Sequence, residues 1–167
     1  MAPLFENKQK NFLLQQGFSV EPTACSSKYG ALQFQPRVVG VLFLIGVFFQ
    51  SWLVFLLTAG LLAYSAWKPE KNPFELLYNR TFGKKPGAEQ LGVAPPPRQF
   101  AQAMAAVILC LIALCLFFNR PLWAWLLEFI MAVALLALIT TGFCVGSLVY
   151  HFRKGNSSFA KQTLPWS

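Results

Sequence analysis

The stretch VVGVLFLIGVFFQSWLVFLLTAGLLAYSAW, residues 38–67, decides the fold of this chain. A single helix of that length would measure roughly 45 Å, half as long again as the ~30 Å hydrocarbon core of a membrane. Gln50 and Ser51 form the only adjacent polar pair in the stretch. We therefore predict two short helices, near 38–49 and 52–67, that are joined by a tight turn at this pair.

A second apolar region, residues 100–150, is interrupted by the tripeptide Asn-Arg-Pro at 119–121. Proline is tolerated in the first turn of a helix, so the interruption predicts one helix near 100–118 and another near 122–150. Two hairpins in tandem follow from the two regions. The predicted fold class is all-α: a polytopic membrane protein with four transmembrane helices.

The composition of the whole chain supports a membrane location. Of its 167 residues, 56% are hydrophobic and only 12% are charged, whereas charged residues make up about a quarter of a typical soluble domain. The mean hydropathy is +0.49. The formal charge of +8 comes from basic residues that avoid the apolar regions. Such a distribution indicates membrane topology and does not predict a nucleic-acid partner.

The positions of the basic residues decide between three and four crossings. With four crossings, thirteen of the fourteen Lys and Arg residues share one side, and Arg120 lies alone on the other. With the first region as a single span, the split would be five against nine, which carries little orientation signal. The positive-inside rule therefore predicts four helices with both termini in the cytoplasm.

This topology divides the chain into three parts. An N-terminal cytoplasmic or interfacial extension covers 1–34, the membrane domain covers 35–152 with a cytoplasmic loop at 68–99, and a tail covers 153–167. Apolar side chains in the extension and the loop are predicted to rest on lipid headgroups; a loosely ordered tail is the alternative for the extension. In the loop these side chains are Phe74, Leu76, Leu77 and Tyr78, and in the extension Leu4, Phe5, Phe12, Leu13 and Leu14.

The motif GFCVGSLVY, residues 142–150, ends the second apolar region. Gly142 and Gly146 have the small-xxx-small spacing that lets two membrane helices approach closely, so we expect them to pack helices. On a continuous helix, Cys144 and Ser147 fall together on nearly the opposite face. A thiol site at Cys144 is the alternative, and it requires a polar, electropositive and partly exposed setting.

Two motifs, GFCVGSLVY and APPPRQFAQAM at 94–104, resemble those of a family of small bacterial membrane proteins, domain of unknown function 4395. The resemblance covers roughly residues 35–152 and implies a multi-pass protein of the bacterial inner membrane. In that family the closing motif usually reads Gly-Phe-Cys-x-Gly-Cys. Cys144 matches the first cysteine, but Ser147 occupies the place of the second. Serine cannot resolve a mixed disulfide, so a two-cysteine exchange site is not expected here.

Two ionisable residues are further site candidates. Glu128 is the only acid inside an apolar region, which makes it a candidate for proton or cation handling. Its position two turns into a helix, near Trp125, favours an interfacial role or a pair with Arg120. His151 is the only histidine. It is a candidate axial ligand for a haem or a chlorophyll, and the alternative is a polar anchor in the cytoplasmic aromatic and basic belt.

No phosphate-binding loop, carboxylate pair, catalytic triad or metal-ligand spacing is evident in the sequence, so we do not expect an enzyme. The leading expectation is a non-catalytic accessory or scaffold subunit of a larger membrane complex, with respiratory and photosynthetic complexes as candidates. Its partners would be other membrane subunits and the lipid bilayer, and its aromatic residues would contact lipid, quinone or chlorophyll. The alternative is a thiol-linked redox or sulfur-handling membrane protein that uses Cys144.

Overall fold

The computed structural model describes residues 2–18, 25–84 and 90–156. In this part of the chain all regular secondary structure is helical, as predicted. A short 3-10 helix at Pro69–Lys71 follows the first hairpin. The α-helices are α1 (Ala2–Gln15), α2 (Cys25–Leu32), α3 (Phe34–Phe49), α4 (Trp52–Trp67), α5 (Pro73–Thr81), α6 (Pro96–Phe117), α7 (Pro121–Thr141) and α8 (Val145–Arg153).

The first hairpin turns where the polar pair predicted it. Gln50 ends α3 in the left-handed conformation, with φ 46°, and the Ser51 N–H donates to the Gly46 carbonyl at 3.1 Å. Gly46 also permits the close approach of α4, because a Cβ at this position would lie 2.8 Å from the ring of Phe55. The predicted turn between α3 and α4 is confirmed.

The first long apolar helix begins earlier than residue 38. Pro36 lies in the first turn of α3, where the N–H groups have no partner within the helix, so proline is tolerated there. The chain is nearly continuous from α2 into α3, and the two form one apolar helical stretch, Ser27–Phe49, of 23 residues. The predicted start near 38 is therefore wrong, and the end of the predicted extension 1–34 belongs to this helix.

The second hairpin consists of α6 and α7. Asn119 has a positive φ of 56°, and Pro121 occupies the first turn of α7. The rings of Trp52 and Phe117 lie 5.4 Å apart, which places both hairpin turns at the same end of the bundle. We call this end the turn end.

The helix predicted near 122–150 is two helices. Thr141 donates its hydroxyl to the carbonyl four residues earlier, at 2.6 Å, and side-chain bonds of this kind compete with regular helix. Gly142 follows in the left-handed conformation, with φ 73°, a common helix C-terminus. The chain then re-enters a helix, α8, after Cys144. The prediction of one continuous helix is wrong at this point.

Three helical stretches in the described residues are long and apolar enough to cross a membrane: Ser27–Phe49, Pro96–Phe117 and Pro121–Thr141. Four had been predicted. The helix α4 is equally apolar, but its 16 residues make about 24 Å, less than the ~30 Å hydrocarbon core.

Two apolar clusters hold the bundle together. The larger lies among α3, α4, α6 and α7 and includes Phe43, Phe55 and Leu109, with α4 packed along α6. The smaller joins α1 to α2 through Phe12 and Leu32. It lies at the end opposite the turns, where α5 and α8 also gather, and we call this end the polar end.

Candidate functional site

A cavity of about 220 Å³ opens among α3, α6, α7 and α8 near the polar end. Its polar lining comes from Gln16, Gln35, Arg98, Gln102 and Cys144, whereas its remaining walls are almost entirely apolar. The apolar lining includes Val39, Leu62, Ile108, Met131, Leu135 and Leu138.

Arg98 is the charged group of this site. The side chain is only 4% exposed, and its Nη2 donates to Gln35 Oε1 at 2.9 Å. Gln102 Nε2 donates to the same oxygen at 3.0 Å. Two buried atoms, Arg98 Nη1 and Gln102 Oε1, have no hydrogen-bond partner within the described part of the chain.

Glu75 partly compensates the charge of Arg98. The side chain of Asn72 caps α5 by accepting from the Phe74 N–H at 3.1 Å, and the helix then carries Glu75 Oε1 to 3.4 Å from Arg98 Nη2. Burial raises the pKa of the Glu75 carboxyl above its ordinary value, although Arg98 and Asn72 act in the opposite direction. Desolvation therefore outweighs the attraction to Arg98 in this pair.

Cys144 lies at the break between α7 and α8. It is the N-cap residue of α8, and its backbone N–H donates to Gln15 Oε1 of α1 at 2.8 Å. The thiol is free and buried, and it is near enough to Arg98 for an electrostatic interaction. The described residues contain no group of three or more His, Cys, Asp or Glu side chains that could hold a metal ion.

Gly146 and Ser147 attach α8 to the beginning of α6. A Cβ at Gly146 would lie 2.7 Å from Ala101 Cα, so the two backbones are in close contact. The buried Ser147 hydroxyl donates to the Pro97 carbonyl at 3.4 Å. Gly142 does not share this contact, because it ends α7 and faces Phe12 of α1. The predicted common glycine face is therefore wrong: the two glycines belong to different helices.

His151 is buried beside α1. Its Nε2 lies 3.1 Å from the Gln15 carbonyl oxygen, so the imidazole connects α8 to α1. Ligation of a haem or chlorophyll through Nε2 would cost this hydrogen bond.

Glu128 lies apart from the cavity, near the turn end. It accepts from Gln50 Nε2, at 3.4 Å for its closer oxygen. Among the described residues it forms no ion pair with Arg120, so the predicted pair is wrong. The contact instead joins α7 to the turn of the first hairpin.

Cys144 and Gly146 both line the cavity, although their spacing predicted them on nearly opposite faces of one helix. Sequence reasoning missed the charged group beside them. Arg98 had been counted only as a topology signal. Its spacing of four from Gln102 places both on one face of α6, and two polar residues on one face at the start of an apolar helix are the signal that was available.

Comparison with known proteins places this architecture in a family. The family model described as "Domain of unknown function (DUF4395)" matches residues 30–154. The chain belongs to this family. The match confirms the resemblance of the two sequence motifs and includes Gln35, Arg98, Gln102 and Cys144 of the cavity lining, while α1 and Gln16 lie outside it. No curated protein and no solved structure matches. For this member of the DUF4395 family, the cavity is therefore the feature that carries functional information.

Proposed function

We propose that this DUF4395 protein is a non-catalytic accessory subunit of a larger membrane complex in the bacterial inner membrane. The observation that supports this proposal is a band of exposed aromatic side chains at the turn end. Phe48 and Phe49 are 82% and 69% exposed and pack edge to face at 5.1 Å. Phe117 and Phe118 of the second hairpin repeat the arrangement at 5.3 Å. Four further exposed aromatics, Trp52, Trp123, Trp125 and Phe129, complete this aromatic band.

Rigid aromatic pairs supply a large contact area at low cost in conformational entropy, and aromatics are enriched at protein interfaces. Lipid headgroups also attract tryptophan, but they favour it over phenylalanine. The two Phe-Phe pairs therefore favour a protein partner at this end.

In the proposed topology four helices cross the membrane and both termini lie in the cytoplasm. The polar end, with Arg98, Arg153 and the loop after α4, faces the cytoplasm. The short helix α4 is accommodated by local thinning of the bilayer, at a modest cost for a mismatch of a few ångströms. Arg120 is then the one basic residue on the opposite side.

The accessory role predicts that the aromatic band holds the partner. We expect the double variant Phe49→Ala/Phe118→Ala to lose co-migration with a large assembly, because each truncation removes an exposed anchor worth about 1–3 kcal/mol. The measurement is mild extraction from native membranes, native separation, mass spectrometry and an absorption spectrum of the band, which reports pigment or haem.

The matched control is Leu61→Ala/Leu136→Ala, which truncates two side chains that are also exposed but lie away from the turns. This control is expected to co-migrate as the wild type does. If the wild-type chain migrates alone or as a homo-oligomer, the accessory role is rejected.

The proximity of Cys144 to Arg98 favours a second function, a thiol-linked redox or sulfur-handling role, although the thiol itself is buried. The cysteine begins α8 beside the buried Arg98, and a helix N-terminus and a cation both attract negative charge. The absence of a second cysteine at Ser147 restricts such chemistry to a single thiol within this motif.

If Arg98 activates this thiol, Cys144 will be alkylated by a small membrane-permeant maleimide faster than in the double variant Glu75→Leu/Arg98→Met, by about tenfold. Cys110 and Cys115, both partly buried, are the internal controls and should react equally in the two proteins. Equal alkylation of Cys144 in both would remove the basis for the thiol role.

A further inference from the structure

The cavity beside Arg98 has two chemically different parts. Gln16, Gln35, Arg98 and Gln102 form the polar part, and most of the remaining wall is apolar. At about 220 Å³ the cavity is several times the ~30 Å³ that a water molecule occupies in the liquid. Its volume and its lining therefore suit an amphipathic molecule better than a cluster of waters.

The apolar part of the cavity reaches the lateral surface of the bundle. Ile130 lines the cavity and is 48% exposed, and Met104, Ala105 and Ile108 of α6 line the same side while only partly buried. A chain in the cavity can therefore pass between α6 and α7 into the hydrocarbon that surrounds the helices.

The polar part presents one unused donor and one unused acceptor. Arg98 Nη1 is the donor and Gln102 Oε1 the acceptor, and both side chains are at least 95% buried. Leaving such groups without partners is costly. The two side chains meet at a common acceptor, Gln35 Oε1, which places them side by side in the polar part of the cavity.

A hydroxyl group fits this pair better than a carboxylate does. A hydroxyl can both accept and donate a hydrogen bond, whereas an ionised carboxylate can only accept. A carboxylate oxygen beside Gln102 Oε1 would therefore place two acceptors against each other. Glu75 already places a carboxylate 3.4 Å from Arg98. An additional anion would leave the buried site with excess negative charge.

We propose that the cavity binds the uncharged hydroxyl head of a single-chain amphiphile. The hydroxyl accepts from Arg98 Nη1 and donates to Gln102 Oε1, and the chain lies between α6 and α7. Both a long-chain alcohol and a phenolic ring on an apolar chain offer this chemistry. The inference is independent of the accessory role.

The test uses the full chain in bilayer nanodiscs with two photoreactive probes, hexadecanol and hexadecanoic acid, each carrying a diazirine in mid-chain. We expect saturable labelling of α6 and α7 peptides by the alcohol, about tenfold stronger than by the acid. Competition by unlabelled hexadecanol and by an alkylated hydroquinone then shows whether the site prefers a long-chain alcohol or a phenolic ring on an apolar chain.

Three variants locate the site. Ala134→Phe fills the cavity, and Gln102→Leu removes the acceptor. Each should reduce labelling by the alcohol about tenfold. Val133→Phe, on the exposed face of α7, is the matched control and should label as the wild type does. Labelling that does not saturate, that persists in Ala134→Phe, or that favours the acid would overturn the proposal.

Discussion

Replacing Gly146 by leucine is expected to separate α8 from α6 and to destabilise the protein by about 3 kcal/mol. A Cβ at this position would lie 2.7 Å from Ala101 Cα, and a backbone atom cannot rotate away as a side chain can. Separation would also lengthen the contact of Ser147 with the Pro97 carbonyl. The free energy of unfolding in mixed micelles, followed by circular dichroism during a denaturing-detergent titration, measures the loss.

Gly60→Leu is the matched control, since it introduces the same side chain in another helix. Gly60 lies within α4, and no atom outside its own helix lies within 4 Å of the position of its Cβ. Leucine also favours helix over glycine, so Gly60→Leu should be neutral or slightly stabilising. A Gly146→Leu protein as stable as the control would show that α8 does not depend on close contact with α6.

The hairpins could be predicted from the sequence because hydropathy and length are local properties. An apolar run that is too long for one spanning helix and has a polar pair in its middle predicts a helical hairpin with its turn at that pair. Gln50 adopts the left-handed conformation that this turn needs. The start of the first helix was missed because the uninterrupted apolar run begins only at Val38, although Pro36 in a first turn is compatible with helix.

The break at Gly142 was missed for a different reason. The apolar residues continue on both sides of it, so hydropathy alone predicts one helix. The local signal was the sequence Thr-Thr-Gly at 140–142, in which hydroxyls that bond to the backbone precede a residue that readily adopts the left-handed conformation. This signal predicts that Gly142 ends one helix and that Gly146 belongs to the next.

The polar part of the cavity could not be assembled from sequence, because its members meet only through tertiary packing. Glu75 and Gln35 lie on α5 and α3, far along the chain from Arg98. A count of basic residues also treats a buried arginine and a solvated one alike. Burial decides the role of Arg98, and burial depends on how α5 and α8 cover the start of α6.

Glu75→Leu is expected to destabilise the protein by about 3–5 kcal/mol, because it leaves the buried charge of Arg98 without its ion-pair partner. The pair itself contributes little compared with apolar side chains, since burial already raises the pKa of Glu75 despite the attraction of Arg98. The double variant Glu75→Leu/Arg98→Met should therefore recover most of the loss and unfold within about 1 kcal/mol of the wild type.

Glu70→Leu is the control for removal of an acid in the same loop. Glu70 is exposed, and its replacement should change the free energy of unfolding by less than about 0.5 kcal/mol. The three variants and the wild type are compared in the same mixed-micelle titration. If the double variant is no more stable than Glu75→Leu alone, the loss comes from packing of α5 and not from the unpaired charge. Recovery in the double variant assigns the loss to Arg98, the group on which the proposed hydroxyl site depends.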